Sequence, residues 1–166
     1  IQASLTGHLV FSTLHTNDAA SAVTRLLDLG TEPYLVSSSL VASLAQRLVR
    51  KLCEDCKRPS TTANRLPDVP GTLLDAHRLA LSDLVGVYEP VGCERCRGTG
   101  FSGRIGVCEL LVLDVACRDL IQQRANAAAI RDVGLQSGMH LLSMDGLLKI
   151  HQGVTTLDEV LRVTTL

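Results

Sequence analysis

The sequence predicts an α/β fold that carries a tetracysteine zinc-binding insert and ends in a helical region. Three observations support this class. An apolar run at 7–14 leads through a polar turn into a helix-like segment, two C-x2-C pairs flank 36 residues, and helix-start signals recur after Asp114. Hydrophobic residues make up 46% of the 166 residues and aromatic residues only 2%, so the core must be built from Leu, Val, Ile and Ala.

Composition also excludes several functions. The net charge of −1 leaves no basic excess for nucleic-acid binding, and few rings are available to stack on bases. No apolar run approaches the roughly 20 residues of a membrane span, and there is no signal peptide. The sequence begins at Ile1 without Met and runs at once into an apolar stretch. We therefore expect a piece of a longer cytoplasmic protein.

The first elements follow the βα order of such folds. The apolar run from Gly7 to Leu14 predicts a strand covered on both faces. Thr16, Asn17 or Asp18 can cap a helix over Ala19–Leu29, which Gly30 ends. Thr31 as cap and Pro33 in the first turn predict a second helix. Its apolar face would run to the first cysteine pair through Leu40, Val41, Leu44, Ala45, Leu48 and Leu52.

The second half of the sequence predicts a proline-containing segment followed by a strand and helices. Residues 57–92 contain several prolines and predict an inserted segment that leaves the fold at Cys56 and returns at Cys93. One helix is predicted within it, over Leu73–Leu84. A strand is predicted over Arg104–Leu113, and helices follow it. Their start signals are Asp114, Asn126 and a Thr156–Glu159 capping box, and another helix is predicted over Leu141–His151.

The cysteine pairs carry the strongest chemical signal. Each pair can direct two thiolates at one point, so together the pairs can supply a closed tetrahedral zinc site; the ligands would be Cys53, Cys56, Cys93 and Cys96. Four protein ligands leave no open position, which favours a structural ion over a catalytic one. Four separate buried thiols, three disulfides among the six cysteines, or a contribution from His77 are the alternatives.

His15 is the candidate residue for phosphate chemistry. It lies where the predicted strand gives way to a helix N-terminus, a position that favours anions, and Thr16 and Asn17 are polar neighbours. A plain capping turn explains the same residues. His8 lies at the start of the same strand. No phosphate-binding G-x-x-x-x-G-K-[ST] loop is present, so the chain by itself is not a complete P-loop hydrolase.

Four segments resemble one family. Thr6–Ala19 resembles the histidine box of secretion ATPases, which drive type II secretion and type IV pilus assembly. Ala45–Cys53 and Gly92–Leu110 are similar to the two halves of the tetracysteine motif of these proteins. Asp145–Thr164 is similar to their C-terminal signature.

The resemblance implies the C-terminal part of a RecA-like P-loop ATPase domain that works as a hexamer on Mg-ATP. His15 would be the catalytic residue at the γ-phosphate; His8, His15 and Thr16 would contact the nucleotide. The four cysteines would hold structural zinc. Residues 1–52 would complete the ATPase core, 53–96 would form the zinc insert, and 97–166 a strand plus helices.

The resemblance also implies which branch of the secretion ATPase family the protein belongs to and which partners it binds. Retraction ATPases typically lack the tetracysteine insert, so the chain is similar to assembly or secretion motors. The Thr99–Phe101 spacing and Cys108–Leu111 favour type II secretion. Such a motor is cytoplasmic and reaches the inner membrane peripherally, through secretion platform proteins. The alternatives are a type IV pilus assembly ATPase and a non-enzymatic zinc module that docks a protein. The 166 residues alone are expected to be inactive.

Overall fold

The computed structural model describes residues 1–60 and 87–164, and their contacts form two compact units. Unit 1 comprises Ile1–Gln46 and Cys108–Leu141, and unit 2 comprises the described parts of Arg47–Val107 and Leu142–Leu166. The elements in chain order are α1 (Gln2–Leu5), α2 (Ala19–Asp28), α3 (Pro33–Ser39), β1 (Ala42–Leu52), β2 (Arg58–Pro59), β3 (Tyr88–Glu89), β4 (Phe101–Val112), α4 (Val115–Gln122), α5 (Ala127–Gln136), α6 (Leu142–His151) and α7 (Leu157–Val163). The predicted mixed α/β class is confirmed.

Strands β1 and β4 pair as a two-stranded sheet. The Leu113 N–H donates to Val41 O at 3.0 Å, and the Cys53 N–H donates to Gly100 O at 2.9 Å. The start of each strand therefore meets the end of the other, and the strands run antiparallel. The predicted strand over Arg104–Leu113 is confirmed, with an earlier start at Phe101.

The predicted helix over residues 40–52 is wrong, because α3 ends at Ser39 and β1 replaces the rest. Leucines at every fourth position fit one face of a helix, but they also fit one face of a strand. In the structure the first part of that face is the outer one, since Leu44 is 59% exposed and Leu48 is 49% exposed, whereas Val49 and the last leucine, Leu52, are buried. Pairing with a distant strand has overridden the local pattern.

The predicted strand over Gly7–Leu14 is also wrong, since residues 8–16 form neither helix nor strand. Leu9 and Phe11 in this stretch are 79% and 88% exposed. A strand needs a neighbour to satisfy its backbone groups, and no strand in the described part of the chain pairs with this stretch. We call residues 8–16 the histidine segment.

Helix starts match the sequence signals closely. Asp18 accepts the Ser21 N–H at 2.8 Å, Asp114 accepts the Cys117 N–H at 2.8 Å, and Asn126 accepts the Ala129 N–H at 2.9 Å. Pro33 opens α3 as predicted, but the capping position is Glu32 rather than Thr31. The helix predicted at Leu73–Leu84 lies outside the described residues.

The core of unit 1 lies among helices α2, α3, α4 and α5. Its fully buried side chains include Val23, Val36, Cys117, Ile121 and Ile130. One carboxylate is buried with them: Glu109, only 2% exposed, accepts the Ala19 N–H at 2.9 Å. The start of α2 is therefore fixed directly to strand β4.

In unit 2, the turn between α6 and α7 is bonded to the last residues of β1. The Leu52 N–H donates to Val154 O at 2.8 Å, and the Thr155 hydroxyl donates to Arg50 O at 2.8 Å. Helices α6 and α7 approach closely at Gly146, where a Cβ atom would lie 2.4 Å from Val160 Cγ1. Glycine is therefore required at this crossing.

The first turn of α7 holds a buried ion cluster. The Glu159 side chain is 3% exposed, and it accepts hydrogen bonds from the Arg50 guanidinium and backbone N–H, each at 2.8 Å, and from Arg162 at 3.0 Å. Thr156 caps the helix as predicted by accepting the Glu159 N–H at 3.4 Å. The Glu159 carboxylate is thus engaged by arginines.

Candidate functional site

The structure brings the four predicted cysteine ligands together. The Sγ atoms of Cys53, Cys56, Cys93 and Cys96 all lie within 4.8 Å of one another. Cys53 and Cys93 are 3.9 Å apart, Cys56 and Cys96 3.8 Å, and Cys93 and Cys96 3.7 Å. A tetrahedron with zinc–sulfur bonds of about 2.3 Å requires sulfur separations of roughly 3.8 Å. The donor set therefore fits zinc in type, number and spacing.

Each cysteine pair lies on a tight turn that directs both thiols to one side. In the first turn, the N–H groups of Cys56 and Lys57 donate to Cys53 O at 3.3 and 2.9 Å. In the second, the Gly98 N–H donates to Cys93 O at 2.9 Å, and Gly98 has a φ of +75°. We call these turns the first knuckle, 53–57, and the second knuckle, 93–98.

Backbone N–H groups from the second half of the motif point at two of the sulfurs. Cys56 Sγ accepts from Gly92 N at 3.3 Å. Cys96 Sγ accepts from Cys93 N at 3.1 Å and from Gly100 N at 3.2 Å. Gly100 must be glycine, because its φ is +74° and a Cβ atom would lie 2.4 Å from Pro90 Cβ.

These N–H donors give the thiols of Cys56 and Cys96 different pKa values. Burial raises the pKa of Cys96, but the Cys93 and Gly100 N–H bonds outweigh it and bring that pKa to about 6. Burial raises the pKa of Cys56 to about 11, because only the Gly92 N–H opposes it and the neighbouring cysteines raise it further. Of these two thiols, Cys96 is therefore the better prepared to bind a metal as thiolate.

A centre of four thiolates has no open coordination position, so it can brace the chain but cannot activate water or substrate. The cysteine cluster brings the two ends of the predicted insert together, because Cys53 and Cys93 lie 40 positions apart in the sequence. Cys108 is half-buried and Cys117 is buried, and both lie outside the cluster. His77, the alternative ligand, lies outside the described residues.

The histidine segment presents its imidazoles to solvent. His15 is exposed, three residues before the Asp18 cap of α2, and Thr16 is half-buried. His8 is exposed at the other end of the segment, with Nδ1 3.1 Å from Thr6 Oγ1 and 3.2 Å from Ala3 O. The three residues predicted to contact the nucleotide, His8, His15 and Thr16, all lie in this segment.

The N-terminus of α2 already holds two carboxylates. Glu109 accepts the Ala19 N–H, and Asp18 accepts the Ser21 N–H while pairing with Arg131 at 3.2 Å. Two of the N–H groups at this helix end, those of Ala19 and Ser21, therefore have acceptors in the chain itself.

Sequence reasoning missed the charged residues around both sites. Glu109 gave no signal, because its partner Ala19 lies 90 positions away. Asp55 and Arg95 did offer one, since each lies between the two cysteines of its pair, and Arg95 Nη1 donates to both Asp55 carboxylate oxygens at 2.9 and 2.8 Å. Among the described residues, no helix is both long and apolar enough to cross a bilayer.

Comparisons with known proteins place the chain in a class and then in a family. Its fold is similar to the solved structure of the pilus retraction motor PilT with bound ADP, with a TM-score of 0.58 at 22% identity over 98% of this chain and 34% of that one. The class is therefore that of the α/β fold seen in that structure. The family described as Type II/IV secretion system protein matches residues 1–162, and the chain belongs to it.

Curated relatives are considerably closer in sequence. The chain is 48% identical over 166 residues to the type II secretion system protein E of Aeromonas hydrophila, covering 99% of this chain and 31% of the relative. It is 47% identical over 167 residues to the type IV pilus assembly ATPase PilB of Thermus thermophilus, covering 98% and 18%. The chain thus spans less than a third of either relative, and the predicted resemblance to secretion ATPases is confirmed.

Proposed function

We propose that this chain forms part of an ATP-driven motor of type II protein secretion that couples ATP hydrolysis to pseudopilus assembly. Family membership over residues 1–162 supports this, as do the names of relatives at 48% and 46% identity from Aeromonas hydrophila and Vibrio cholerae. The observation that carries the proposal is the sulfur tetrahedron, since it matches the tetracysteine motif expected of assembly and secretion motors.

In this proposal the metal is structural zinc held by Cys53, Cys56, Cys93 and Cys96. When bound, it supplies folding energy to the segment where the insert leaves and rejoins the chain. The proposed organisation is an ATPase core completed by 1–52, a zinc insert at 53–96 and a strand-plus-helices region at 97–166. The working assembly would be a cytoplasmic homo-hexamer bound peripherally to inner-membrane platform proteins.

His15 is proposed to act on the γ-phosphate of Mg-ATP, with His8 and Thr16 contributing to nucleotide contacts. Two features support His15. Its imidazole is exposed, and the helix that follows it is anchored by Glu109, so the segment leading into α2 has a fixed end. An imidazole N–H directed at a terminal phosphate oxygen stabilises charge that develops as the bond to the leaving group breaks.

The test is His15→Ala in the full-length protein. We expect kcat for ATP hydrolysis to fall at least tenfold, while the dissociation constant for ATP changes less than threefold, because the interaction is made mainly in the transition state. The matched control is His140→Ala, which removes an exposed imidazole elsewhere in unit 1. Equal losses in turnover and binding, or equal effects of the two variants, would contradict the proposed role.

Secretion and pilus assembly are separated by a genetic test. The relatives include both kinds of motor at nearly equal identity, 48% and 47%, so identity does not decide between them. We expect the full-length gene to restore protein export, and not piliation, to a strain that lacks its own copy. Restored piliation alone would establish a type IV pilus assembly ATPase. A full-length protein that binds metal and a partner but hydrolyses no ATP would establish the docking module.

A further inference from the structure

The side chain of Lys57 leaves the first knuckle and reaches the turn between α6 and α7, and both lie in unit 2. Lys57 Nζ donates to Gly153 O at 3.0 Å. The backbone that carries this side chain belongs to the knuckle, because the Lys57 N–H donates to Cys53 O at 2.9 Å and Cys56 is the preceding residue. One residue is therefore part of the metal site by its main chain and contacts the C-terminal helices by its side chain.

Two further contacts hold the ammonium group of Lys57 in this position. Its Nζ lies 2.7 Å from Glu54 Oε2, within the same knuckle, and 5.0 Å from the centre of the Tyr88 ring in β3. A lysine over an aromatic ring gains a cation–π attraction in addition to its hydrogen bonds. Only 18% of the Lys57 side chain is exposed. Three partners thus converge on one ammonium group that is largely shielded from water.

The turn between α6 and α7 also packs against the Tyr88 ring. Gly153 is buried and has a φ of +66°, and a Cβ atom there would lie 2.7 Å from Tyr88 Cδ2. Tyr88 pairs with Pro59, two residues after Lys57, in the short β2–β3 pair. The turn is therefore in contact with the first knuckle through Lys57 and with the β2–β3 pair through Tyr88. A displacement of the knuckle disturbs both contacts.

We propose that Lys57 couples the metal site to the C-terminal helices: a knuckle closed around zinc places the ammonium group on Gly153 O and so fixes the turn between α6 and α7. This inference rests on the proposed zinc site. Coupling between two sites is reciprocal, so a change in the turn must alter metal affinity. Lys57 is a positioning residue, since it acts on the metal through the knuckle that carries Cys53 and Cys56.

A backbone connection is the competing explanation. The Leu52 N–H donates to Val154 O at 2.8 Å, and Leu52 directly precedes Cys53. This bond would connect the turn to the metal site without Lys57. The two routes differ in one respect. A disturbance at Gly153 reaches the metal only while Lys57 is present in our proposal, and regardless of Lys57 if the backbone carries the coupling.

The test measures the Zn²⁺ affinity of the 166-residue chain by competition with a chromophoric chelator at pH 7.5. We expect Gly153→Ala to lower the affinity about tenfold, within the usual range of coupling between sites, because the added methyl group displaces the Tyr88 ring. Lys57→Met should also lower it about tenfold, as is typical when a group that supports a metal ligand is lost. In the double variant the two losses should not multiply, because either substitution alone breaks the connection.

Tyr88→Leu provides a second route to the same answer, since it removes the aromatic ring without adding backbone strain. We expect about a threefold loss of Zn²⁺ affinity in the wild-type background and no further loss in the Lys57→Met background, because residues in contact are not additive. Circular dichroism with saturating Zn²⁺ checks that each variant is folded. If Gly153→Ala does not fold, the pair Tyr88→Leu and Lys57→Met decides the question.

Gly103→Ala is the matched control for Gly153→Ala. Gly103 lies in the same unit and has a similar φ of +75°, but an added Cβ atom would meet no described atom within 4 Å. Arg58→Met is the control for Lys57→Met, because it removes the exposed cation at the next position. Each control should change Zn²⁺ affinity less than twofold.

Three results would overturn the role of Lys57 while leaving the zinc site in place. They are no loss of affinity for Lys57→Met, losses that multiply when Lys57→Met is combined with a change at Gly153 or Tyr88, and control variants that lose as much as their counterparts. A wild-type chain that binds no Zn²⁺ would overturn the zinc site, and this inference with it.

Discussion

Exchange of Cys53 for serine is expected to abolish tight metal binding and to destabilise unit 2 by on the order of 5 kcal/mol or more, since structural zinc sites commonly supply much of the folding energy of small metal-dependent domains. Cys53 is 1% exposed and follows the last residue of β1. Loss of the Cys53 thiol therefore both breaks the sulfur tetrahedron and exposes the end of the β1–β4 sheet. Wild-type chain should contain about one zinc ion, as a four-thiolate site requires.

The measurement is thermal unfolding with and without a chelator, combined with metal analysis by plasma spectrometry. Chelation of the wild-type chain should reproduce the behaviour of Cys53→Ser, and hydrogen exchange should rise first in 53–57 and 93–100. The matched control is Cys108→Ser, a thiol outside the cluster that should leave metal content unchanged. A wild-type chain that is metal-free and equally stable after chelation would contradict the structural role.

The second large effect is expected from the buried carboxylate of α7. Glu159→Gln should lower the free energy of unfolding by about 2–3 kcal/mol, because the substitution removes charge-assisted bonds from Arg50 and Arg162 at a side chain only 3% exposed. Urea denaturation at pH 7 measures this difference. The neighbouring Asp158 is exposed, so Asp158→Asn is the matched control and should change stability by less than 1 kcal/mol.

The same carboxylate predicts a pH dependence with a definite sign. Burial raises the pKa of Glu159, but the hydrogen bonds from Arg50 and Arg162 outweigh it and lower the pKa from 4.5 to about 2. A carboxylate whose pKa is lower in the folded than in the unfolded state contributes its full stabilisation of the fold when the pH is above the unfolded-state pKa. That contribution is lost as the pH falls towards the folded-state pKa of about 2. The stability difference between wild type and Glu159→Gln should therefore shrink between pH 5 and 2. A difference that stays constant over this range would contradict the ion cluster.

The clustering of the four cysteines could be predicted from sequence because the information is local. A spacer of two residues is enough to direct both thiols of a pair to the same side. Only the tertiary contact between the two pairs had to be assumed. The helix caps Asp18, Asp114 and Asn126 were predictable for the same reason, since each bonds an N–H three positions away.

Long-range pairing explains what the sequence could not show. Leu44 and Leu48 suit a helix or a strand equally, and the choice is made by β4, which begins at Phe101, 49 positions after β1 ends at Leu52. Glu159 looked like the second half of a capping box, but its carboxylate is taken by Arg50, 109 positions earlier. The histidine segment failed as a strand because no described strand lies beside it to pair with.

The short β2–β3 pair has a consequence for how such chains can diversify. Arg58 pairs with Glu89, Pro59 pairs with Tyr88, and the Ser60 N–H donates to Val87 O at 2.8 Å, so the two ends of the intervening chain are tied together beside the metal centre. Closing a loop costs only about 0.6 kcal/mol more for each doubling of its length. A change in the number of residues between Ser60 and Val87 should therefore cost little free energy and leave the four cysteines in place.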